Sequence, residues 1–98
     1  MDSPISIPSA RVIMPHALRE KIGSRASLTV SGHSVREIID ALDHDFPGMR
    51  FHLCYETGEL RTYVNVFLNR QDVRYLQGLD TPVGNGATIH ILQSVAGG

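Results

Sequence analysis

The spacing of hydrophobic and polar residues changes period along the 98-residue chain, and each change predicts an element. Val35, Ile38, Ile39, Leu42 and Phe46 recur at the interval of one helix face. Ser34-Val35-Arg36-Glu37 opens this stretch as a capping box: the Ser34 hydroxyl accepts from the Glu37 amide, and the Glu37 carboxylate reaches back to the Ser34 amide. Pro47-Gly48 closes it, so a helix is predicted over Val35 to Asp45, with an apolar stripe that must lie on a sheet. The sheet is written in period two. Ala10 to Met14, stopped by Pro15, and Ala26 to Val30, stopped by Ser31-Gly32, predict two strands. Between them, Leu18 and Ile22 predict a single helical turn at 17–22. Leu60 to Leu68 predicts a third strand, with Val64, Val66 and Leu68 on the core face and Tyr63, Asn65 and Phe67 on the other.

Asn69-Arg70 reads as a tight turn into a short strand around Asp72-Val73, and residues 75–79 as an irregular or 3₁₀ connection. Gly84-Asn85-Gly86 is a turn before a last strand, Thr88 to Leu92, whose Ile89 and Ile91 point inward while His90 and Leu92 point outward. Met49 to Tyr55 carries no decisive pattern. Residues 1–9, with Pro4 and Pro8 among small polar residues, read as a flexible leader, 10–94 as one domain and 95–98 as a flexible tail. One amphipathic helix and about five strands satisfy a core most simply with the helix across one face of a mixed sheet. The first two strands pair as a hairpin, and crossover handedness sets the last strand beside the first. This α+β arrangement is the β-grasp.

Composition narrows the function classes. Apolar residues make up 42%, charged residues 19%, and the net charge is -1, as in an ordinary globular domain. Such a balance gives no general attraction to nucleic acid or to a membrane surface. No apolar run approaches a membrane span and no basic-then-apolar leader opens the chain, so a cytoplasmic protein is expected. The single Cys54 makes no internal disulfide, in keeping with a reducing compartment. No H-E-x-x-H, paired-cysteine or Gly-rich phosphate-binding spacing occurs, so neither catalytic residues nor a metal site are predicted. His52-x-Cys54 is a ligand pair only superficially, and Cys54 reads as a small buried hydrophobe. Asp40, Asp43 and Asp45 read as the solvated face of the helix.

The chemistry-bearing stretch is the ending, Val95-Ala96-Gly97-Gly98. Two glycines present no Cβ to a narrow channel, so Gly98 is suited to carry a carboxylate into a partner's active site. Strand parity sends Phe67 and Leu92 to the outer face near the tail's exit, where both are expected to be exposed as an apolar docking patch.

The order of elements, the Tyr63-Val64-Asn65-Val66-Phe67-Leu68-Asn69 strand and turn, the stretch Leu79-Asp80-Thr81-Pro82-Val83 and the ending 95–98 resemble the ThiS/MoaD family of ubiquitin-like sulfur carriers. The resemblance covers roughly residues 10 to 98. With Asp72-Val73-Arg74, it is greatest to the CysO-type carrier. It implies a ubiquitin-like β-grasp that is a protein co-substrate rather than an enzyme and binds no cofactor. An adenylating enzyme of the ubiquitin-activating type would use ATP on the Gly98 carboxylate, and a sulfur donor would convert the adduct to a thiocarboxylate. Its anionic sulfur is nucleophilic, as a thiolate is. The resemblance implies transfer to a sulfur-accepting synthase, cysteine synthase-like first of all, with a metalloprotease releasing the product. The small-subunit role in molybdopterin synthase, thiamine synthesis and secondary metabolism stay open. So does covalent modification, in which Gly98 joins a lysine of another protein. Lys21 is the only lysine here, so chains of this protein would grow only through Lys21 or the N-terminus. A non-covalent adaptor is the third class.

Overall fold

The computed structural model describes residues 7–94. Its elements are β1 (Ser9–Ile13), a 3₁₀ helix (His16–Ile22), β2 (Ser27–Ser31), α1 (Val35–Asp45), α2 (Met49–Leu53), β3 (Val64–Leu68), β4 (Gln71–Asp72), 3₁₀ turns at Val73–Tyr75 and Gly78–Asp80, and β5 (Ala87–Gln93). The strands form one five-stranded mixed sheet in the order β2-β1-β5-β3-β4. β1 runs parallel to β5, and the other neighbours are antiparallel. The last strand thus lies beside the first in the sheet interior, as crossover handedness requires.

Helix α1 occupies the residues its periodicity predicts and buries Val35, Ile38, Ile39 and Leu42. These join Val12, Val64, Val66, Ile89 and Ile91 from the sheet in one apolar cluster. The capping box forms only by half. Ser34 Oγ accepts from the Glu37 amide at 3.2 Å, but the Glu37 carboxylate takes the His33 amide, at 2.8 Å, in place of that of Ser34. The reason lies in the entry to the helix, where Ser34 forms an isolated bridge with Pro82, flanked by bonds from Val35 N–H to Thr81 O and from Val83 N–H to His33 O. That bridge orients the backbone so that the amide one residue earlier faces Glu37. Gly32 allows the close approach of β2 to the helix, since a Cβ there would stand 2.9 Å from the Ile38 nitrogen.

The remaining differences from the sequence pattern are local. β3 begins at Val64, not Leu60, because residues 61–63 turn, with Val64 N–H donating to Arg61 O, while Leu60 bridges Cys54. β-propensity produces a strand only where a sheet neighbour is present. β4 is Gln71–Asp72, one residue earlier than expected, because Val73 starts a 3₁₀ turn that the Asp72 carboxylate caps through the Arg74 amide, at 2.9 Å. The helical turn before β2 extends to His16–Ile22. Met49–Leu53 is a short helix that buries its two end residues, four apart. Ser9, assigned to the leader, opens β1, held by Asn85 Oδ1 on its amide at 2.9 Å and by the Gly86 amide on its carbonyl at 2.8 Å. The rest of the proposed leader up to residue 6, and the tail 95–98, lie outside the described residues.

On the acidic side of α1, Asp43 does more than face water. Its Oδ1 accepts from the Gly48 and Arg50 amides at 3.1 and 3.0 Å, and Arg50 Nη2 lies 3.3 Å from Oδ2. The Arg50 amide, more than its guanidinium, holds the Asp43 carboxyl below its ordinary value of 3.8. A lowered folded-state pKa means that the unfolded chain binds the proton more readily. This stabilisation is therefore complete above the unfolded pKa and lost as pH falls through the folded one. Asp43→Asn is expected to lower the urea midpoint at neutral pH, with the difference from wild type shrinking as acid takes the pH below about 3.8. A difference unchanged across that range would contradict the assignment.

Candidate functional site

The outer sheet face is built by strand parity. In register, Ile13 pairs with His90, His90 with Phe67, and Phe67 with Asp72, forming one row across β1, β5, β3 and β4. Leu92 pairs with Asn65 in the row nearer the chain's exit. Ile13, Phe67, Leu92, His90, Thr88, Asn69 and Arg70 line a groove of about 640 Å³. The structure therefore brings Phe67 and Leu92 together on one concave surface. Leu92 is 41% exposed. Phe67 is only half-buried rather than exposed as the parity argument expects. β3 is an interior strand, so Phe67 has a cross-strand neighbour on each side, His90 on β5 and Asp72 on β4.

One end of the groove is a two-residue turn. Asn69 and Arg70 have φ of 48° and 74°, the left-handed pair that a tight hairpin demands and that glycine or asparagine fills at lower cost. Asn69 fastens the turn to β5, donating its amide to Thr88 O and accepting the Thr88 amide on Oδ1, both at 2.9 Å. Arg70 is thereby held at the groove's edge in a conformation that its side chain does not favour.

At the other end, Ser94 N–H donates to Tyr63 O at 2.8 Å, which carries the β3–β5 ladder one residue past the Val64–Gln93 pair. Ser94, two positions beyond Leu92, is the last described residue and is thus still tied to β3. Val95, Ala96, Gly97 and Gly98 lie outside the described residues.

Elsewhere the chemistry is structural. Cys54 is buried, and burial pushes its thiol pKa up, away from the thiolate a nucleophile needs. Asp40 pairs with Arg50 Nε at 3.2 Å. Among the described residues no group of three or more His, Cys, Asp or Glu side chains is placed to hold a metal, and no helix is long and apolar enough to cross a membrane. The Leu79–Val83 stretch braces the start of α1: Asp80 meets Arg36 at 3.1 Å, and buried Thr81 donates to Gly78 O at 2.7 Å while accepting from the Gln77 amide. The groove residues that the sequence pattern passes over are Ile13, Thr88, His90, Asn69 and Arg70. Parity with Leu92 is a signal for Thr88 and His90, whereas Arg70 carries none.

The ThiS family model matches residues 12–98. The sulfur carrier protein CysO of Mycobacterium bovis is 34% identical over 89 residues, spanning 89% of this chain and 96% of the relative. Among solved structures, the Amycolatopsis orientalis BexX/CysO complex contains a chain that superposes with a TM-score of 0.84 at 37% identity, covering 91% of this chain and 99% of that one. The small archaeal modifier protein 1 of Methanosarcina acetivorans has a TM-score of 0.79 at 27% identity, covering 95% and 99%.

Proposed function

Because the chain belongs to the ThiS family, we propose that it is a sulfur carrier of the CysO type whose reactive group is the Gly98 carboxylate. The observation that carries this reading is that the sequence after β5 ends in a double glycine that lies inside the matched region. An ATP-dependent activating enzyme joins the carboxylate to AMP and releases pyrophosphate. A sulfur donor then attacks the acyl carbon, a C–S bond forms, the C–O bond to AMP breaks, and a thiocarboxylate results. The ATP is the activating enzyme's substrate, and the carrier supplies no catalytic group. The sulfur passes to an acceptor synthase that forms cysteine, from which a metalloprotease would free the product. The carrier works with these enzymes in the cytoplasm.

The groove is the docking face in this reading. Its apolar residues sit beside the tail's root, so a partner that covers them also aligns residues 95–98. Leu92→Ser is expected to weaken binding to both the activating and the acceptor enzyme by about 10-fold, with denaturant stability changed by less than about 0.5 kcal/mol. Phe67→Ser weakens binding likewise and also costs stability, because its ring is half-buried. Calorimetric affinities for both partners that match wild type in the Leu92 variant would remove the groove from the account.

The likeness to a small archaeal modifier protein favours a second reading, conjugation of Gly98 to a lysine of another protein. Incubation with the activating enzyme, ATP and a sulfur donor separates the two. A carrier gives a thiocarboxylate, a modifier gives products of higher mass, and neither product would return the chain to the adaptor class.

A further inference from the structure

The geometry points to Arg74 as a positioning residue that acts through Asn65 on Ser94, the last residue before the reactive tail. This inference rests on the carrier reading and adds to it a device that aims the tail. The 3₁₀ turn that Asp72 caps carries Arg74 over the exit end of β3. There Arg74 Nη2 donates to Val64 O at 2.7 Å, and Nη1 donates to Asn65 Oδ1. Asn65 Nδ2 in turn donates to Ser94 Oγ, at 3.3 Å. The chemistry fixes the direction of this relay. A guanidinium only donates, so it takes the amide oxygen of Asn65 and leaves the amide nitrogen for Ser94, whose hydroxyl oxygen must accept. With its backbone amide on Tyr63 O, Ser94 is held at two points.

The lever arm gives the relay its consequence. Four residues separate Ser94 from the end of Gly98, a reach of at most about 14 Å when extended. A root fixed at both backbone and side chain confines the directions that this arm samples. A root that swings freely must be ordered at each encounter, and ordering one residue's backbone costs on the order of 10-fold in an equilibrium constant. The cost falls on binding. Once the tail is threaded, the reacting carboxylate is the same.

Two arms test this on the full-length chain. In the isolated protein, the Ser94 amide of Arg74→Ala and of Ser94→Ala is expected to exchange with deuterated solvent about 10-fold faster than in wild type, and Ser94→Thr, which keeps the hydroxyl, retains wild-type protection. In ATP–pyrophosphate exchange with the activating enzyme, Arg74→Ala and Ser94→Ala raise KM for the carrier about 10-fold at unchanged kcat. The double variant is no worse than either single one, because both break one relay. Unchanged amide exchange, a loss in kcat in place of KM, or additive effects in the double variant would overturn the relay. A wild-type chain that supports no exchange with ATP would instead sink the carrier reading.

Discussion

Deletion of Gly98, or Gly97→Val, is expected to abolish adenylation while leaving denaturant stability within about 0.5 kcal/mol of wild type. The two halves of this result come from different links of the chain. Stability resides in the cluster formed by α1 and the sheet, whose last member among the described residues is Ile91. Neither change removes a residue of that cluster, so the cluster is expected to stay intact. Adenylation, by contrast, needs the carboxylate at one place in a channel. Removing a residue retracts it by about 3.5 Å, and a displacement of about 1 Å at a reacting centre already costs about 100-fold. Valine at position 97 adds a branched Cβ where the bare backbone must pass. Pyrophosphate exchange at wild-type rates in either variant would show that the tail's length and lack of side chains are incidental.

Ile39→Ala and Leu42→Ala are each expected to cost about 2–5 kcal/mol, the range for truncating a buried aliphatic side chain into a cavity. Both residues are on the buried face of α1, with 3% and 1% of their surface accessible. A chain of this size has a total stability of only about 5–15 kcal/mol, so either variant can approach global unfolding at ordinary temperature. Urea denaturation measures the change directly. A loss below about 0.5 kcal/mol would be that of a surface substitution and would mean that the apolar stripe of α1 does not carry the domain.

The contrast between what the pattern of residues reveals and what it hides follows the range of the interactions. The α1 helix is legible because periodicity and the Ser34 cap are local, and both lie within a few residues of each other. The faces of β3 and β5 are legible because parity needs only one buried neighbour to set the rest. The exchange of Glu37's partner from Ser34 to His33 is not legible, since it depends on a bridge to Pro82, far along the chain. The start of β3 is hidden for a different reason: Leu60 is captured by Cys54 in a short-range bridge that no period-two pattern announces. Phe67 shows the limit of parity: alternation assigns the face correctly but not the exposure, which depends on the strands that flank β3 on either side. Asp72-Val73-Arg74 is visible as a motif in the sequence, yet its work appears only once the fold sets Arg74 against Asn65 and Ser94.

The central claim is that this chain carries sulfur on Gly98, and intact-mass spectrometry after incubation with the activating enzyme, ATP and a sulfur donor tests it most directly. The account predicts a mass gain equal to one oxygen-for-sulfur exchange, located in the C-terminal peptide and absent when ATP is withheld or Gly98 is deleted. A chain that keeps its starting mass in the complete mixture, or whose added sulfur maps to Cys54, would contradict it.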